Sequence, residues 1–415
     1  MTDISRTDQD RHITALGSSV ASDLFQILRD GRPRTRTELS AMTGLARSTV
    51  ALRIDALMKL GLVGPVGDAV STGGRPSSQF AIAASGRVVL GVDVGASHVR
   101  IAVSDLTGRI QAETSERIRV AEGPEAVLTW VSGAAHDLLD QLGRAPADLL
   151  AIGIGLPGPV EHSSGRPINP PIMPGWDRFD VPGWFRGTFD APVLVDNDVN
   201  IMALGERELS WPEVDHLIFV KVATGIGSGV ISGGILQRGA QGTAGDIGHV
   251  HVARGADVPC QCGNRGCLEA LASGPALGRE LRDLAGATGM SGMAPESSQD
   301  VVELVKGGNI TAIQAVRQAG RDIGEVLTTC VSLINPSVIV IGGSLAQAGE
   351  HLIAGVREIV YTRSMPLATE HLQITQSKAG ADAAVLGACM LAIHHALSPS
   401  NIEEMVIGAP TAAKV

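Results

Sequence analysis

The stretch Val88-Val-Leu-Gly-Val-Asp93-Val-Gly95-Ala96-Ser97 is an apolar run that ends in a carboxylate and a short Gly/Ser turn, and Val99 to Ser104 resumes as a second strand. Such a hairpin offers backbone N–H groups and a hydroxyl to a phosphate, with Asp93 placed for the phosphate's metal ion. The pattern returns at Phe219-Val-Lys-Val-Ala-Thr224-Gly225-Ile-Gly-Ser228-Gly-Val230, again strand, Thr/Gly turn, strand. A third glycine turn closes the apolar run Val338-Ile-Val-Ile-Gly342-Gly343-Ser344. Singly, each reads equally well as an ordinary hairpin turn. Together, in this order and spacing, they are a stronger signal of phosphate-binding turns, with Asp93, Gly95, Ser97, Thr224, Gly225, Gly342 and Gly343 as their candidate residues.

A second cluster lies between the last two turns. His249 precedes Cys260-Gln-Cys262-Gly-Asn-Arg-Gly-Cys267-Leu-Glu269, which holds three of the chain's five cysteines. One imidazole and three thiolates make a closed tetrahedral zinc set, and Gly263 and Gly266 let the short loop fold back on itself. A disulfide would leave an odd thiol, and two cysteines one residue apart rarely reach good bridge geometry. With no position open for water, the metal is expected to be structural and to hold a loop.

The chain has 415 residues, 44% of them apolar but only 3% aromatic, which suits Ala/Val/Gly-rich α/β packing in more than one domain. The start, MTDISRTDQDRHITALG, has neither the basic n-region nor the apolar h-region of a signal peptide, so a cytoplasmic, reducing setting with no membrane contact is expected. Net charge is −10, but residues 1–90 carry 11 basic against 8 acidic side chains. Within that segment Val20–Leu28 has a helical period, and Thr35-Arg-Thr-Glu38 is a capping box opening a second helix through Met42. A turn at Thr43-Gly44-Leu45 leads to a third helix over about 46–60. Its Val50, Ile54, Leu57 and Met58 share one face, and Arg47, Ser48, Thr49 and Arg53 the other. Two helices joined by a glycine turn, the second presenting Arg, Ser and Thr, form the helix-turn-helix arrangement that reads a major groove. Leu62-Val63 and Gln79–Ile82 read as strands of a wing around Gly73-Gly74-Arg75-Pro76. Arg75 at the tip is placed for a minor groove, although the same residues also make a plain turn.

Residues 18–397 resemble the ROK family of repressors, open reading frames and kinases. The resemblance is carried by DVGAS at 93–97, GLPGPV at 155–160, Asn169 with Pro174-Gly175-Trp176, VDNDVNIMALGE around Asn197-Asp198, TGIGSG at 224–229, GTAGDIGH at 242–249, the cysteine cluster and IGGS at 341–344. It implies an actin-like, hexokinase-type (ribonuclease H-like) α/β fold. The winged helix-turn-helix would span 18–84, the first lobe 88–205 plus a returning helix within 381–397, and the second lobe 206–380. It implies nucleotide binding at the turns of Asp93, Gly95, Ser97, Thr224, Gly225, Gly342 and Gly343, and a sugar pocket of Gly158, Asn169, Asn197, Asp198, Asp246, His249 and Glu269, with Asp198 the catalytic base if the chain is a kinase using ATP and magnesium. Asp198 also stands where it would cap the helix Val199–Glu208, a role compatible with the first. Three residues depart from the kinase pattern: Ala96 and Ser228 replace glycines, and Asp246 replaces a glutamate. The expectation is a sugar-responsive regulator, a repressor of carbohydrate-metabolism genes, which binds operator DNA as a homodimer or homotetramer with a sugar or sugar phosphate in the cleft. The alternatives are an ATP-dependent hexose or N-acetylhexosamine kinase, alone or combined with DNA binding, and a DNA-binding protein whose kinase-like body only dimerises. The segment 287–299 is expected to be a loop on the second lobe, and the tail after Pro399 to be frayed.

Overall fold

A computed structural model describes residues 20–68, 77–83, 86–288 and 295–408. At the front, α1 (Val20–Leu28) leads through β1 (Arg34–Thr35) into α2 (Arg36–Thr43), α3 (Arg47–Lys59), β2 (Val63–Asp68) and β3 (Ser78–Ile82), the strands ordered β1-β3-β2. The capping box forms at Thr35 and Glu38, and Gly44 ends α2 at φ 72°. Arg75 and the tip at 71–76 lie outside the described residues.

The first lobe runs β4 (Val88–Val94), β5 (Val99–Asp105), β6 (Ile110–Glu116), α4 (Pro124–Gln141), β7 (Leu149–Leu156), the small ribbon β8 (Val160–Glu161) and β9 (Arg166–Pro167), α5 (Val181–Phe185), β10 (Val193–Asn197) and α6 (Asp198–Ser210). Its sheet order is β10-β7-β4-β5-β6. The second lobe follows with β11 (Leu217–Val222), β12 (Ile226–Ser232), β13 (Ile235–Gln237), α7 (Leu268–Ala272), α8 (Gly274–Thr288), α9 (Ser298–Lys306), α10 (Ile310–Ile334), β14 (Val338–Gly342), α11 (Glu350–Arg363), α12 (Pro366–Thr369) and β15 (Gln373–Gln376). Its sheet, β13-β12-β11-β14-β15, repeats the first in topology: an antiparallel β-meander, then two parallel strands on the other side of the first strand. Strands β4 and β14 are buried at every position, as expected of strands covered on both faces.

The chain then returns to the first lobe through α13 (Asp382–Ala396), which packs on β4, β7 and α6, and ends in α14 (Pro399–Gly408). The crossing of α13 over α6 is backbone on backbone. A Cβ on Gly387 would lie 1.6 Å from the Ile201 carbonyl oxygen, and one on Gly205 2.0 Å from that of Ala383.

Two expectations fail. The tail after Pro399 is not frayed through Gly408: Ser398 precedes Pro399 as an N-cap precedes N1, and Ile402 is fully buried against the front helices. The loop at 287–299 is shorter than expected, since α8 reaches Thr288 and α9 starts at Ser298 under a Ser297–Asp300 capping box; residues 289–294 are outside the described set. Among the described residues no single helix is long and apolar enough to cross a membrane.

Because the α6–α13 crossing has no room for a side chain, Gly387→Val should lower unfolding stability by about 3 kcal/mol or more in urea titration. Gly286→Ala, which meets open space in α8, should instead raise it by about 0.5–1 kcal/mol.

Candidate functional site

The carboxyl ends of β4 and β11 and the N-terminus of α6 converge where the two lobes meet. The β4–β5 turn is tight: the Gly95 N–H donates to the His98 carbonyl at 2.8 Å. Asp93, buried, faces His98 across 3.3 Å from Oδ2 to Nε2. That contact raises the imidazole pKa above its usual value against the opposing effect of burial. Ser97 and Ala96 are exposed on the turn.

At the start of α6 the two polar neighbours divide their work. Asn197, not Asp198, is the N-cap. Its Oδ1 accepts from the Val199 N–H at 2.9 Å, and its Nδ2 donates to the Gly158 carbonyl at 2.8 Å. Most of its hydrogen-bonding capacity is therefore spent on holding the helix start against the Gly158 loop. Asp198 is the first helical residue, where the positive end of the helix dipole favours a carboxylate, and it is only 5% exposed. Its Oδ2 pairs with the Lys221 ammonium from β11. Burial works against that ammonium, but the Asp198 carboxylate outweighs it and the pKa lies above the ordinary lysine value. The role of Lys221 is not legible in the β11 motif, because nothing in the sequence shows that the end of β11 faces the start of α6.

A second network was also missed. Asp196, one residue before the cap, accepts from Arg238 Nε at 2.6 Å and Asn200 Nδ2 at 2.7 Å, with His162 Nδ1 3.7 Å away. It ties β10 to the segment that follows β13 in the other lobe. A carboxylate beside Asn197-Asp198 was a visible signal; its partner, 42 residues on, was not.

The β11–β12 turn is held from the cysteine loop. Glu269 Oε2 accepts from the Ile226 N–H at 3.0 Å, and a Cβ on Gly225 would come within 2.7 Å of the same oxygen. Glu269 thus braces the Thr224–Gly225 turn. Ser228 points elsewhere, donating to the Gly245 carbonyl at 2.8 Å. Gly342 and Gly343 lie at the end of β14, where Cβ atoms would strike the Phe219 ring and the Val222 backbone. Asp246 is exposed just before the turn Ile247–His249. Asn169 is exposed at φ 45°, with its N–H on Asp177 Oδ1 at 2.8 Å.

His249, Cys260, Cys262 and Cys267 bring one ligand atom each to within 4.8 Å of one another. Cys262 and Cys267 sulfurs are 3.6 Å apart, and Cys260 Sγ is 3.7 Å from His249 Nδ1. Tetrahedral ligands at zinc–sulfur bond length have edges of about 3.8 Å, so the donor set fits a zinc ion. Burial and the neighbouring sulfurs push the Cys267 thiol up to about 12; a divalent ion would reverse that by binding the thiolates. Nδ1 facing the cluster leaves Nε2 of His249 for another partner.

On the front unit, Val50, Ile54 and Leu57 of α3 are buried, whereas Arg47, Ser48 and Leu52 are exposed and Thr49 and Arg53 partly so.

The sequence pattern of the ROK family matches residues 89–395. The chain belongs to the ROK family. The xylose repressor of Caldicellulosiruptor bescii is 28% identical over 382 residues, covering 90% of this chain and 95% of that protein. A solved structure described as a ROK family transcriptional regulator, a homologue of E. coli Mlc, shares the fold at TM-score 0.80 and 24% identity, covering 93% of this chain and 98% of its own. The ROK hexokinase of Thermus thermophilus, 31% identical at TM-score 0.62, is itself covered to 98% but takes up only 74% of this chain. The α/β body is therefore shared with repressors and sugar kinases alike, whereas the 88 residues before the family match begins at 89 lie outside it.

If the cysteine loop holds metal, elemental analysis of the purified protein should find about one zinc per chain, and Cys267→Ser should release it. Through Glu269 and His249 the loss should weaken any cleft ligand by about 10-fold or more in calorimetry. Ligand affinity unchanged after zinc loss would separate the cluster from the cleft.

Proposed function

We propose that this ROK protein is a sugar-responsive, DNA-binding transcriptional repressor of carbohydrate-metabolism genes. One observation carries the proposal. A capped α2 turns at Gly44 into an α3 that buries Val50, Ile54 and Leu57 and leaves Arg47 and Ser48 free, on a unit that the xylose repressor matches along with the rest of the chain. In a winged helix-turn-helix, α3 enters the major groove of operator DNA, and β2–β3 form the wing whose tip carries Arg75. Leu52 and Met42, 67% and 56% exposed, add apolar contacts of the kind that meet thymine methyls. Arg36 is placed otherwise: it pairs with Asp55 at 2.6 Å and lies over the Phe80 ring at 4.7 Å, holding α2, α3 and the sheet together.

The effector is a sugar or sugar phosphate bound between the lobes by Asn169, Asp198, Asp246, His249 and Glu269, with a structural zinc ordering the last two. The chain works as a homodimer or homotetramer on a two-fold operator, in the compartment that holds the DNA. Coupling between the sites has a physical carrier in α6. Its first turn holds Asp198; its Ile201, Ala203 and Leu204 share one buried cluster with Leu24, Phe25 and Leu28 of α1, Leu397 and Ile402. The Gln26 amide donates to the Leu397 carbonyl at 3.0 Å, and Glu208 of α6 acts on the Arg29 guanidinium of the front unit. A sugar that moves the start of α6 thereby moves the seat of the DNA-binding unit.

Fluorescence anisotropy with the chain's own promoter DNA, titrated with pentoses, hexoses, N-acetylhexosamines and their phosphates, tests this. One sugar class should shift operator affinity, whereas steady ADP release from ATP and magnesium with any of them would favour a kinase. Arg47→Ala should weaken the operator by about 10- to 100-fold (1–3 kcal/mol) while leaving sugar affinity intact. Equal loss of both functions would defeat the modular arrangement.

A further inference from the structure

Family membership implies ATP with magnesium in the kinase branch, and the residues of this cleft do not fit that group. A phosphate approaching the β4–β5 turn needs bare backbone over Gly95, and the metal ion needs Asp93. A Cβ built on Gly95 would lie 2.2 Å from His98 Cε1 and 2.5 Å from Nδ1, so the imidazole already occupies that face of the turn. Its Nε2 is 3.3 Å from the Asp93 carboxylate. On the other side, the carboxylate that would take a sugar hydroxyl proton, Asp198, is paired with Lys221 and buried. Lys221 also lies within electrostatic reach of Asp93 and His98. Both carboxylates therefore have a nitrogen partner supplied by the chain itself, one from each lobe.

We propose that His98 and Lys221 close the nucleotide half of the cleft. His98 fills the phosphate turn and engages Asp93; Lys221 holds Asp198 as an ion pair. The cleft then binds sugar without nucleotide. Sugar recognition survives because the pair engages Oδ2 of Asp198 and leaves Oδ1 as an acceptor, and because an ammonium has three donors of which Asp198 takes one. Phosphoryl transfer does not, since a carboxylate held by a lysine is a poorer acceptor for the hydroxyl proton. The inference rests on the sugar-sensor proposal but concerns a different ligand, so the two can fail separately.

The test is calorimetric titration of the full chain with ADP and magnesium, for the wild type, His98→Ser, and His98→Ser with Lys221→Thr, with thermal melting and operator binding followed on each. The wild type should bind ADP with a Kd of about 1 mM or weaker, and the double variant at least about 10-fold more tightly. His98→Ser alone, which leaves the Asp198 pair untouched, should already gain about 3-fold, so the proposal stays decidable if the double variant fails to fold. Wild-type ADP binding at about 0.1 mM or tighter would overturn it. So would a variant that melts like the wild type and gains nothing. If no sugar in the panel alters operator binding, the sensor function fails, whatever the nucleotide titration shows.

Discussion

The contact of α6 with α13 at Gly205 and Gly387 is the constraint from which the rest of the molecule takes its place. Helices that meet backbone to backbone cannot slide past one another as side-chain-separated helices can, so they move as one body. One end of that body is the N-terminus of α6, which carries Asn197 and Asp198 into the cleft. Its other end is α14 and the seat of α1, where Leu24, Phe25, Leu28 and Ile402 are fully buried together. The same helix pair thus belongs to the cleft and packs against the front unit, and α13 reaches it only after the chain has built the entire second lobe. A sensor of the proposed kind needs its two sites joined, and this packing joins the cleft to the front unit without a dedicated linker.

Charge in the cleft follows a second logic. Asp93, Asp196 and Asp198 are each buried, and a buried carboxylate without a partner is costly. Each has one: His98, Arg238 and Lys221. Two of the three partners come from the second lobe, so the ion pairs also set how the lobes meet. A ligand entering there competes with protein cations as well as with water. The cysteine loop enters the same economy from outside, since Glu269 two residues past Cys267 fixes the N–H of Ile226 at the opposite turn.

Much of this was legible in the sequence. The capping box at Thr35 and Glu38, the turn at Gly44 and the buried face of α3 are local, decided by residues within a few positions of one another. The convergence of His249 with the three cysteines was readable for the same reason, because the spacing leaves the loop little freedom. The Ser398-Pro399 start of α14 is a local helix signal, but the Ala/Pro-containing composition beyond it points to a frayed tail, and burial of Ile402 decides for the helix. What could not be read were pairings across long separations. Asn197 rather than Asp198 caps α6 because the Gly158 loop lies against it; Glu269 braces a turn because β12 runs past it.

The sequence by itself determined the α/β character, the helices of the front unit and the clustering of His249 with three cysteines, because each is written in periodicity, capping and spacing over short distances; the family was legible in motifs spread along the chain. The tertiary structure alone decided that Lys221 would pair with Asp198, that His98 would lie over Gly95, and that α6 would border the cleft and pack against the front unit. Those are contacts between surfaces that meet only once two lobes have folded and α13 has locked them together. Their energies depend on burial and on charges brought close by the fold, neither of which exists in the extended chain.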